Sequence, residues 1–241
     1  MPTSIYFALL EACSQPGCPL CRFTYNNVQR YFDSLLYESV NDRTVRLHLR
    51  RSLGFCREHA WQTVDSSSGE ALGIAIIYHD VLTNVLRGFP DAGTPSARQP
   101  RLGTWLGSLS GELNMKLKTL VQALTPKERC PVCTNRDEMN ALAVKELLQS
   151  ILDEKLHKAL ETSEGLCLPH LLQSFEKVHD EPTFAALVAL NHDKLEALNA
   201  ELAELIRKND YRFRDEGFGE ERDSWKKVVR LAVGDRFAKK N

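Results

Sequence analysis

The sequence predicts an all-α protein made of internally duplicated helical units with pseudo-twofold symmetry, each tied by a Cys₃His metal site. Three observations lead to this prediction. Apolar residues recur at helical spacing along most of the chain. No stretch shows the sustained apolar–polar alternation between turn signals that a half-buried strand requires. A Cys-Pro-x-Cys motif and a Gly-x-Cys-x-x-His motif each occur twice, in the same order.

The predicted helices follow one another with recognisable ends. Asp42 and Asp153 stand where a helix begins or breaks, and Gly54 and Gly165 follow polar helical stretches that a glycine can end. The helical apolar stripe is seen in VQRYFDSLLYESV (28–40), GELNMKLKTLVQAL (111–124), NALAVKELLQSILDEKL (140–156), ALVALNHDKLEALNAELAELI (186–206) and a short amphipathic stretch around Trp225, Val228 and Val229.

The two halves of the chain repeat the same order of motifs. CPLCR (18–22) matches CPVCT (130–134), and the residues Gly54, Cys56 and His59 match Gly165, Cys167 and His170, with each element recurring 111 to 113 residues later. We therefore predict a first helical metal-binding repeat at 1–124 and a second at 125–208. Residues 209–241 are predicted to be a C-terminal extension docked on the helical body, so that the chain forms one integrated unit.

Composition narrows the class of protein. The 241-residue chain is 43% hydrophobic and has a formal net charge of −1 at pH 7, so it has no overall attraction to nucleic acid or anionic membranes. The N-terminus lacks the features of a secretory signal, and no apolar run approaches the roughly 18 residues of a membrane helix. We expect a cytoplasmic protein without membrane contact, whose seven cysteines stay reduced.

The repeated motifs have the chemistry of metal ligands. Cys-Pro-x-Cys places two thiols three residues apart, and its proline suits the first position of a helix. Cys-x-x-His has the same separation, and the two pairs lie about 35 residues apart in each half, a span that two antiparallel helices could close. Four such ligands predict a closed tetrahedral zinc site, which is structural rather than catalytic. The predicted first site is Cys18, Cys21, Cys56 and His59, and the predicted second site is Cys130, Cys133, Cys167 and His170.

Three other interpretations of the cysteines stay open. Buried cysteines are often small apolar core residues, and Cys-Pro-x-Cys resembles thiol-redox motifs, although the βαβ context of such motifs is absent. The spacing Cys13-x₄-Cys18-x₂-Cys21, with Cys56 later, matches that of plant-type ferredoxins, so an iron–sulfur cluster is an alternative. Thr125 stands at the second-half position of Cys13, so this match is confined to the first half, and Cys13 could be a free thiol.

Two further patterns have a functional and a plain interpretation. His79-Asp80 and His192-Asp193 occupy matching places in the two halves. In each pair the carboxylate could orient a ligating histidine, or the two residues could take part in acid–base chemistry. We favour the plain interpretation that a repeated fold also repeats its surface residues. No acidic residue interrupts the stretch from Arg43 to Arg57, and Arg43, Arg46 and Arg50 share a helix face that could bind the phosphates of a nucleic acid. We favour a solvated helix face there.

The motifs together resemble an uncharacterised bacterial family, a domain of unknown function. The resemblance rests on CPLCR, GFCREHAW, CPVC, GLCLPH and the closing YRFRDEGFGEERDSW, and it covers nearly the whole chain. Members of that family look like duplicated Cys-Pro-x-Cys and Gly-x-Cys-x-x-His proteins that end in a Tyr-Arg-Phe segment. Leu172 stands where the first half has Trp61, so that part of the pattern is not duplicated. The resemblance implies one integrated unit and brings no activity with it.

The sequence thus predicts a cytoplasmic zinc-binding helical protein that acts as an interaction or regulatory module with an unknown protein partner. It contains no nucleophile elbow, phosphate-binding loop or metalloprotease motif, so we expect no enzyme activity but leave it open. An iron–sulfur or thiol redox protein is the first alternative, and nucleic-acid binding through the Arg43–Arg57 helix is the second.

Overall fold

The described part of the chain is entirely helical, which confirms the predicted fold class. A computed structural model describes residues 2–66, 71–89, 105–213 and 215–235, and no strand occurs within these ranges. The α-helices are α1 (Ser4–Cys13), α2 (Pro19–Tyr37), α3 (Arg43–Arg51), α4 (Arg57–Ser66), α5 (Ala71–Leu86), α6 (Trp105–Leu124), α7 (Pro131–Ser150), α8 (Glu154–Thr162), α9 (Leu168–Phe175), α10 (Glu181–Lys208) and α11 (Ser224–Val233); two short 3₁₀ helices cover Tyr211–Phe213 and Glu220–Asp223.

The chain divides into two compact units. Unit 1 comprises Met1–Val28 and Arg136–Asn241, and unit 2 comprises Gln29–Asn135. The boundaries fall inside α2 and α7, so each unit combines segments from both halves of the sequence. The sequence division at residues 124 and 208, the duplication and the integration of the chain into one unit stay predictions.

Helix ends follow the predicted signals at matching places in the two halves. The carboxylate of Asp42 accepts hydrogen bonds from the backbone N–H groups of the first turn of α3 at 2.8 and 2.9 Å, and Asp153 does the same for α8 at 3.1 and 3.2 Å. Gly54 and Gly165 follow α3 and α8 with φ of +88° and +82°, a region that favours glycine. A Cβ atom at Gly54 would also lie 2.9 Å from the Tyr78 ring. Both glycines thus turn the chain directly into a Cys-x-x-His motif.

Unit 1 is built around a core of aliphatic side chains. Leu9 of α1, Leu147 of α7, Leu156 of α8 and Leu187 of α10 are each at most 1% exposed. Burial of a leucine side chain contributes about 1.5–3 kcal/mol to the free energy of unfolding. The sulfur atoms of Cys18, Cys21 and Cys167 belong to the same buried cluster, so this core surrounds three of the predicted ligands.

Unit 2 is held by a chain of aromatic rings. Phe32 of α2 contacts Phe55 edge-to-face at 5.8 Å between ring centroids, and Phe55 contacts Tyr78 of α5 at 6.3 Å. Phe32 also packs against the imidazole of His59, which is only 1% exposed. The aromatic core of unit 2 therefore extends to a predicted metal ligand.

An ion-pair network joins α3 to α5 in unit 2. Asp80 accepts two hydrogen bonds from Arg50, at 2.7 and 2.9 Å, and a third from Arg46 at 3.2 Å. Arg51 donates to Glu128 at 2.8 Å. Arg46, Arg50 and Arg51, which belong to the stretch considered for nucleic-acid binding, are therefore paired with carboxylates.

The two His-Asp pairs differ in the structure. Asp80 binds arginines, whereas Asp193 is 89% exposed beside His192 and belongs to an exposed group of His192, Asp193 and Glu196. His79 is exposed as well. Neither pair belongs to the cysteine-containing groups of the described residues, so the pairs orient none of the predicted ligands there.

We expect Asp80→Asn to lower the free energy of unfolding by about 1–3 kcal/mol, because Arg46 and Arg50 would lose their shared carboxylate. Asp193→Asn, at the matching position of the second half, is the control and should change it by less than about 0.5 kcal/mol. Urea unfolding of both variants measures the difference, and equal effects would contradict the structural role of Asp80.

The pH dependence of this contribution has a definite sign. The hydrogen bond from Arg50, together with Arg46, holds the pKa of Asp80 below its ordinary value of 3.8. The stabilisation by the carboxylate is therefore present above pH 3.8 and is lost as the pH falls through the lower pKa of the folded state. The stability difference between the wild type and Asp80→Asn should shrink over that acidic range.

No helix within the described ranges combines the length and the apolar character that a membrane span needs. This agrees with the absence of a long apolar run from the sequence.

Candidate metal centres

The eight predicted ligands lie at the N-termini of four helices. Cys18 and Cys130 immediately precede α2 and α7, and their carbonyl oxygens accept the first helical hydrogen bonds, from Arg22 and Thr134. The proline of each Cys-Pro-x-Cys motif is the first helical residue, as predicted. The Cys-x-x-His motifs repeat this arrangement, with Cys56 before α4 and Cys167 before α9. In every motif the second candidate ligand therefore lies in the first helical turn. For Cys21 and Cys133, the positive end of the helix dipole there favours a thiolate.

The structure brings the eight residues together in two groups of four. Cluster I comprises Cys18, Cys21, Cys167 and His170, and cluster II comprises Cys56, His59, Cys130 and Cys133. Within each cluster the candidate ligand atoms lie within 4.8 Å of one another, so each cluster could hold a metal ion.

The predicted pairing of the motifs within each half was wrong. Each Cys-Pro-x-Cys motif meets the Cys-x-x-His motif of the other half, so Cys18 and Cys21 do not join Cys56 and His59. The reason lies in the course of the chain, since α2 and α7 begin in one compact unit and end in the other. The four cysteines of the ferredoxin-like spacing are likewise not assembled, because Cys56 belongs to cluster II and Cys13 to neither cluster.

Cluster I lies wholly within unit 1. The Nδ1 atom of His170 is 3.2 Å from the sulfur of Cys167, 3.3 Å from that of Cys21 and 3.5 Å from that of Cys18. The sulfurs of Cys21 and Cys167 are 3.6 Å apart. All three thiols are at least nine-tenths buried, so cluster I is a compact and nearly closed group.

Cluster II has the same geometry within unit 2. The Nδ1 atom of His59 is 3.3 Å from the sulfurs of Cys56 and Cys133 and 3.7 Å from that of Cys130. The sulfurs of Cys56 and Cys133 are 3.6 Å apart. Cys56 is more exposed than the other two thiols, so cluster II is more open to solvent on that side.

The electrostatics of both clusters favour a cation among the ligand atoms. Burial and the neighbouring thiols, Cys56 first among them, raise the pKa of Cys133 to about 12, because further negative charge is unfavourable there. Burial by itself lowers the pKa of His170, but contacts with the sulfurs of Cys167, Cys18 and Cys21 outweigh it and raise that pKa to about 12. A metal ion would supply a positive charge that stabilises these sulfurs in their thiolate form.

A hydrogen-bonded pair orients the histidine of cluster I. The Nε2 atom of His170 lies 2.9 Å from the amide oxygen of Asn140, which can only accept, so Nε2 donates the proton. Asn140 donates in turn to Gln173 at 2.9 Å. This hydrogen bond leaves Nδ1 as the ring nitrogen that faces the three sulfurs, which is the orientation that a metal-binding histidine requires.

Comparison with known proteins places the chain in a family. The model of a family of unknown function, DUF6062, matches residues 5–239. The chain belongs to DUF6062. This confirms the resemblance to an uncharacterised family that the motifs indicate.

One relative of this DUF6062 chain is described as an uncharacterized 23.9 kDa protein in the xynA 3' region of Caldicellulosiruptor sp. (strain Rt8B.4). It is 24% identical over 205 residues, which cover 85% of this chain and 88% of the relative. No solved structure matches the chain significantly.

Cys13 of the DUF6062 chain is a core residue. It is 4% exposed and packs in the core of unit 1 outside both clusters. Burial and the nearby Cys18 raise the pKa of Cys13 to about 11, so its thiol stays protonated and unreactive at neutral pH. The plain interpretation of a buried cysteine therefore applies to Cys13.

The C-terminal segment of the DUF6062 chain covers cluster I, which the sequence did not lead us to expect. The backbone N–H of Asp235 donates to the sulfur of Cys21 at 3.4 Å. A Cβ atom at Gly234 would lie 3.5 Å from that sulfur and 3.8 Å from the sulfur of Cys167, so the chain passes directly over the ligands. The segment is anchored by Lys208, which donates to the carboxylate of Glu221 at 2.8 Å. No local pattern signals this contact, because it joins residues 214 positions apart.

We expect Asn140→Ala to weaken metal binding at cluster I by about 10- to 100-fold, because His170 would lose the acceptor that fixes its tautomer. Cluster II should keep its affinity. Competition with a chromogenic chelator would show that one of the two ions is bound more weakly than in the wild type. Gln149→Ala, an exposed residue of the same helix, is the control; a similar loss in both variants would rule out a specific role of Asn140.

Asp235→Pro removes the backbone N–H that donates to Cys21. It should speed metal release from cluster I by about two- to tenfold, which corresponds to the free energy of one hydrogen bond. Asp235→Ala keeps that N–H, so it separates the backbone contact from loss of the carboxylate. Stopped-flow transfer of the metal to a chelator measures the rate. If both variants release the ion equally fast, the N–H···S contact has no part in retention.

Proposed function

We propose that this protein binds two zinc ions, one in each Cys₃His cluster, and that both ions are structural. The observation that carries the proposal is the set of distances among the ligand atoms. Around one tetrahedral zinc, with Zn–S of about 2.3 Å and Zn–N of about 2.0 Å, two sulfurs lie about 3.8 Å apart, and a sulfur and a nitrogen lie about 3.5 Å apart. The sulfurs of Cys21 and Cys167 and those of Cys56 and Cys133 are 3.6 Å apart, and the sulfur–nitrogen distances are 3.2 to 3.7 Å.

The same distances favour a single ion over an iron–sulfur cluster. Ligands of a cluster bind separate iron atoms bridged by sulfide, so at least some of them must lie much farther apart than the ligands of one ion. All four ligand atoms of each group lie within 4.8 Å of one another. Cys₃His with buried thiols is a ligand set that zinc uses in structural sites.

In a closed site the ion stabilises the fold and takes no part in a reaction. The protein would then act through its surface. We propose an interaction or regulatory module in the cytoplasm. An apolar stripe on α11 supports this: Trp225, Val229 and Val233 follow one another at four-residue spacing and are 55%, 56% and 72% exposed. Such a stripe is typical of a surface that meets a protein partner.

Metal analysis of protein purified without oxygen tests the zinc proposal. We expect a colourless protein with two zinc ions per chain by elemental analysis. A brown protein with absorption near about 400 nm, containing iron and acid-labile sulfide, would replace the proposal with the iron–sulfur alternative. A metal-free protein whose Cys18 and Cys21 cycle between thiol and disulfide would replace it with thiol redox chemistry.

A further inference from the structure

Unit 2 contains a cavity of about 300 Å³ that neither metal cluster uses. It lies among α3, α5, α6 and the segment that leads to α7. The volume is at the lower end of the range of pockets that hold small molecules. Its lining consists of Leu47, Arg50, Arg51, Leu53, Asn84, Gln122, Ala123, Thr125 and Lys127.

The lining is strongly cationic. Among the residues that the structure describes, Arg50, Arg51 and Lys127 are its charged residues, and no carboxylate of that part of the chain lines the cavity. Asn84 and Gln122 add amide N–H donors. A cavity with several cations and donors and no acidic residue is complementary to an oxyanion.

Two of the cations are held in place by carboxylates that lie outside the lining. Asp80 accepts from Nε and Nη2 of Arg50, and Glu128 accepts from Nη1 of Arg51. Among the described residues, Nη1 of Arg50, Nη2 of Arg51 and Nζ of Lys127 have no hydrogen-bond partner. The carboxylates thus fix both guanidinium groups while leaving donors free for a ligand, which reduces the entropy lost on binding.

The charges around the cavity leave a positive excess. Arg46, Arg50 and Arg51 pair with the two carboxylates of Asp80 and Glu128, and Lys127 of the lining adds a fourth positive charge. A dianionic phosphate monoester would match this excess of two positive charges.

A cavity of similar size in unit 1 provides an internal comparison. It measures about 280 Å³ and is lined by the carboxylates of Glu161 and Asp193 beside His157 and Lys194. The amine of Lys194 is already bound to the carbonyl oxygens of Glu161 and Ser163. The cationic lining therefore distinguishes the cavity of unit 2 from this one and does not follow from the helical packing alone.

We propose that the cavity of unit 2 binds the phosphate group of a small phosphorylated molecule. A concave pocket suits a small ligand better than a nucleic-acid strand, which needs an open cationic groove along its backbone. The inference does not depend on the metal clusters. It gives Arg50, Arg51 and Lys127 a shared role as phosphate ligands.

The test is calorimetric titration of the metal-loaded full chain with inorganic phosphate and with glycerol phosphate, at constant ionic strength. We expect saturable binding with one ligand per chain. Arg51→Gln and Lys127→Gln should each weaken binding at least about tenfold. Arg43→Gln, an exposed cation on the same helix but outside the cavity, should leave the affinity unchanged within about twofold.

Three outcomes would overturn the proposal. One is the absence of saturable binding in the millimolar range. Another is an equal loss of affinity in Arg43→Gln and Lys127→Gln, which would indicate a general charge effect. The last is tighter binding of a single-stranded oligonucleotide that Arg43→Gln weakens, which would favour the nucleic-acid alternative. Metal content and melting temperature of each variant confirm that it is folded, and Arg51→Lys, which keeps the charge, should retain part of the affinity.

Discussion

Replacing Cys18 and Cys167 together by serine is expected to leave one metal ion per chain, whereas replacing Cys18 and Cys56 together is expected to leave none. The first pair belongs to cluster I, so cluster II keeps all four of its ligands. The second pair removes one thiolate from each cluster. Because a serine hydroxyl is a much poorer zinc ligand than a thiolate, both ions should be lost on washing with a weak chelator.

The experiment separates the two possible pairings of the motifs. If the motifs paired within each half of the sequence, Cys18→Ser with Cys56→Ser would spare one site and Cys18→Ser with Cys167→Ser would spare neither. Native mass spectrometry counts the ions directly. Cys13→Ser, a buried cysteine outside both clusters, is the matched control and should keep two. Far-ultraviolet circular dichroism shows whether each double variant is still folded.

Removal of the metal is expected to destabilise the protein strongly. At a free metal concentration a thousandfold above the dissociation constant, each site contributes about 4 kcal/mol. For a chain of this size, that corresponds to a fall in melting temperature of about 8–16 °C for each site. The loss should be large because each ion would join helix N-termini from distant segments, and its removal breaks that tie while the sulfurs take up protons and become neutral thiols.

A thermal melt followed by circular dichroism, with and without a strong chelator, measures this effect. The doubly substituted Cys18→Ser, Cys56→Ser protein should show no further shift when the chelator is added, which excludes an effect of the chelator on the fold itself. An unchanged melting curve of the wild-type protein after chelation would contradict a structural role for the ions.

The helical positions of the candidate ligands could be predicted from the sequence, because they depend on local chemistry. Pro19 and Pro131 suit the first position of a helix, and Asp42 and Asp153 cap helices that begin immediately after them. Gly54 and Gly165 adopt the positive φ that glycine allows. The helical periodicity of the buried side chains led to the correct fold class for the same reason.

The pairing of the motifs could not be predicted, because two copies of each motif can combine in two ways with the same chemistry. The within-half pairing closes loops of about 35 residues, whereas the cluster I contact of Cys21 with Cys167 spans 146 and the cluster II contact of Cys56 with Cys133 spans 77. Each doubling of a loop costs only about 0.6 kcal/mol, so the longer loops cost about 2 kcal/mol in total. Burial of one leucine side chain offsets that amount, so packing decides the pairing.

The role of Asp80 and the cover over cluster I were missed for a related reason. Asp80 meets Arg46 and Arg50 only because α3 packs on α5, and the His-Asp dipeptide at His192 and Asp193 has no such arginines nearby. The N–H of Asp235 reaches the sulfur of Cys21 only because α11 packs against α9 and α10. Contacts between segments so far apart depend on tertiary packing, which no local pattern encodes.

The order of the ligands along the chain has a consequence for synthesis. The residues of cluster II, from Cys56 to Cys133, are nested between the two ligand pairs of cluster I, which begin at Cys18 and end at His170. On the ribosome, the inner centre is therefore complete first, while the N-terminal cysteine pair waits for its histidine. His170 follows Cys21 by 149 residues, so at about 5–20 residues per second that delay lasts roughly 7–30 seconds. During this interval Cys18 and Cys21 exist without Cys167 and His170, so we expect them to be the candidate ligands that stay open to oxidation for the longest time.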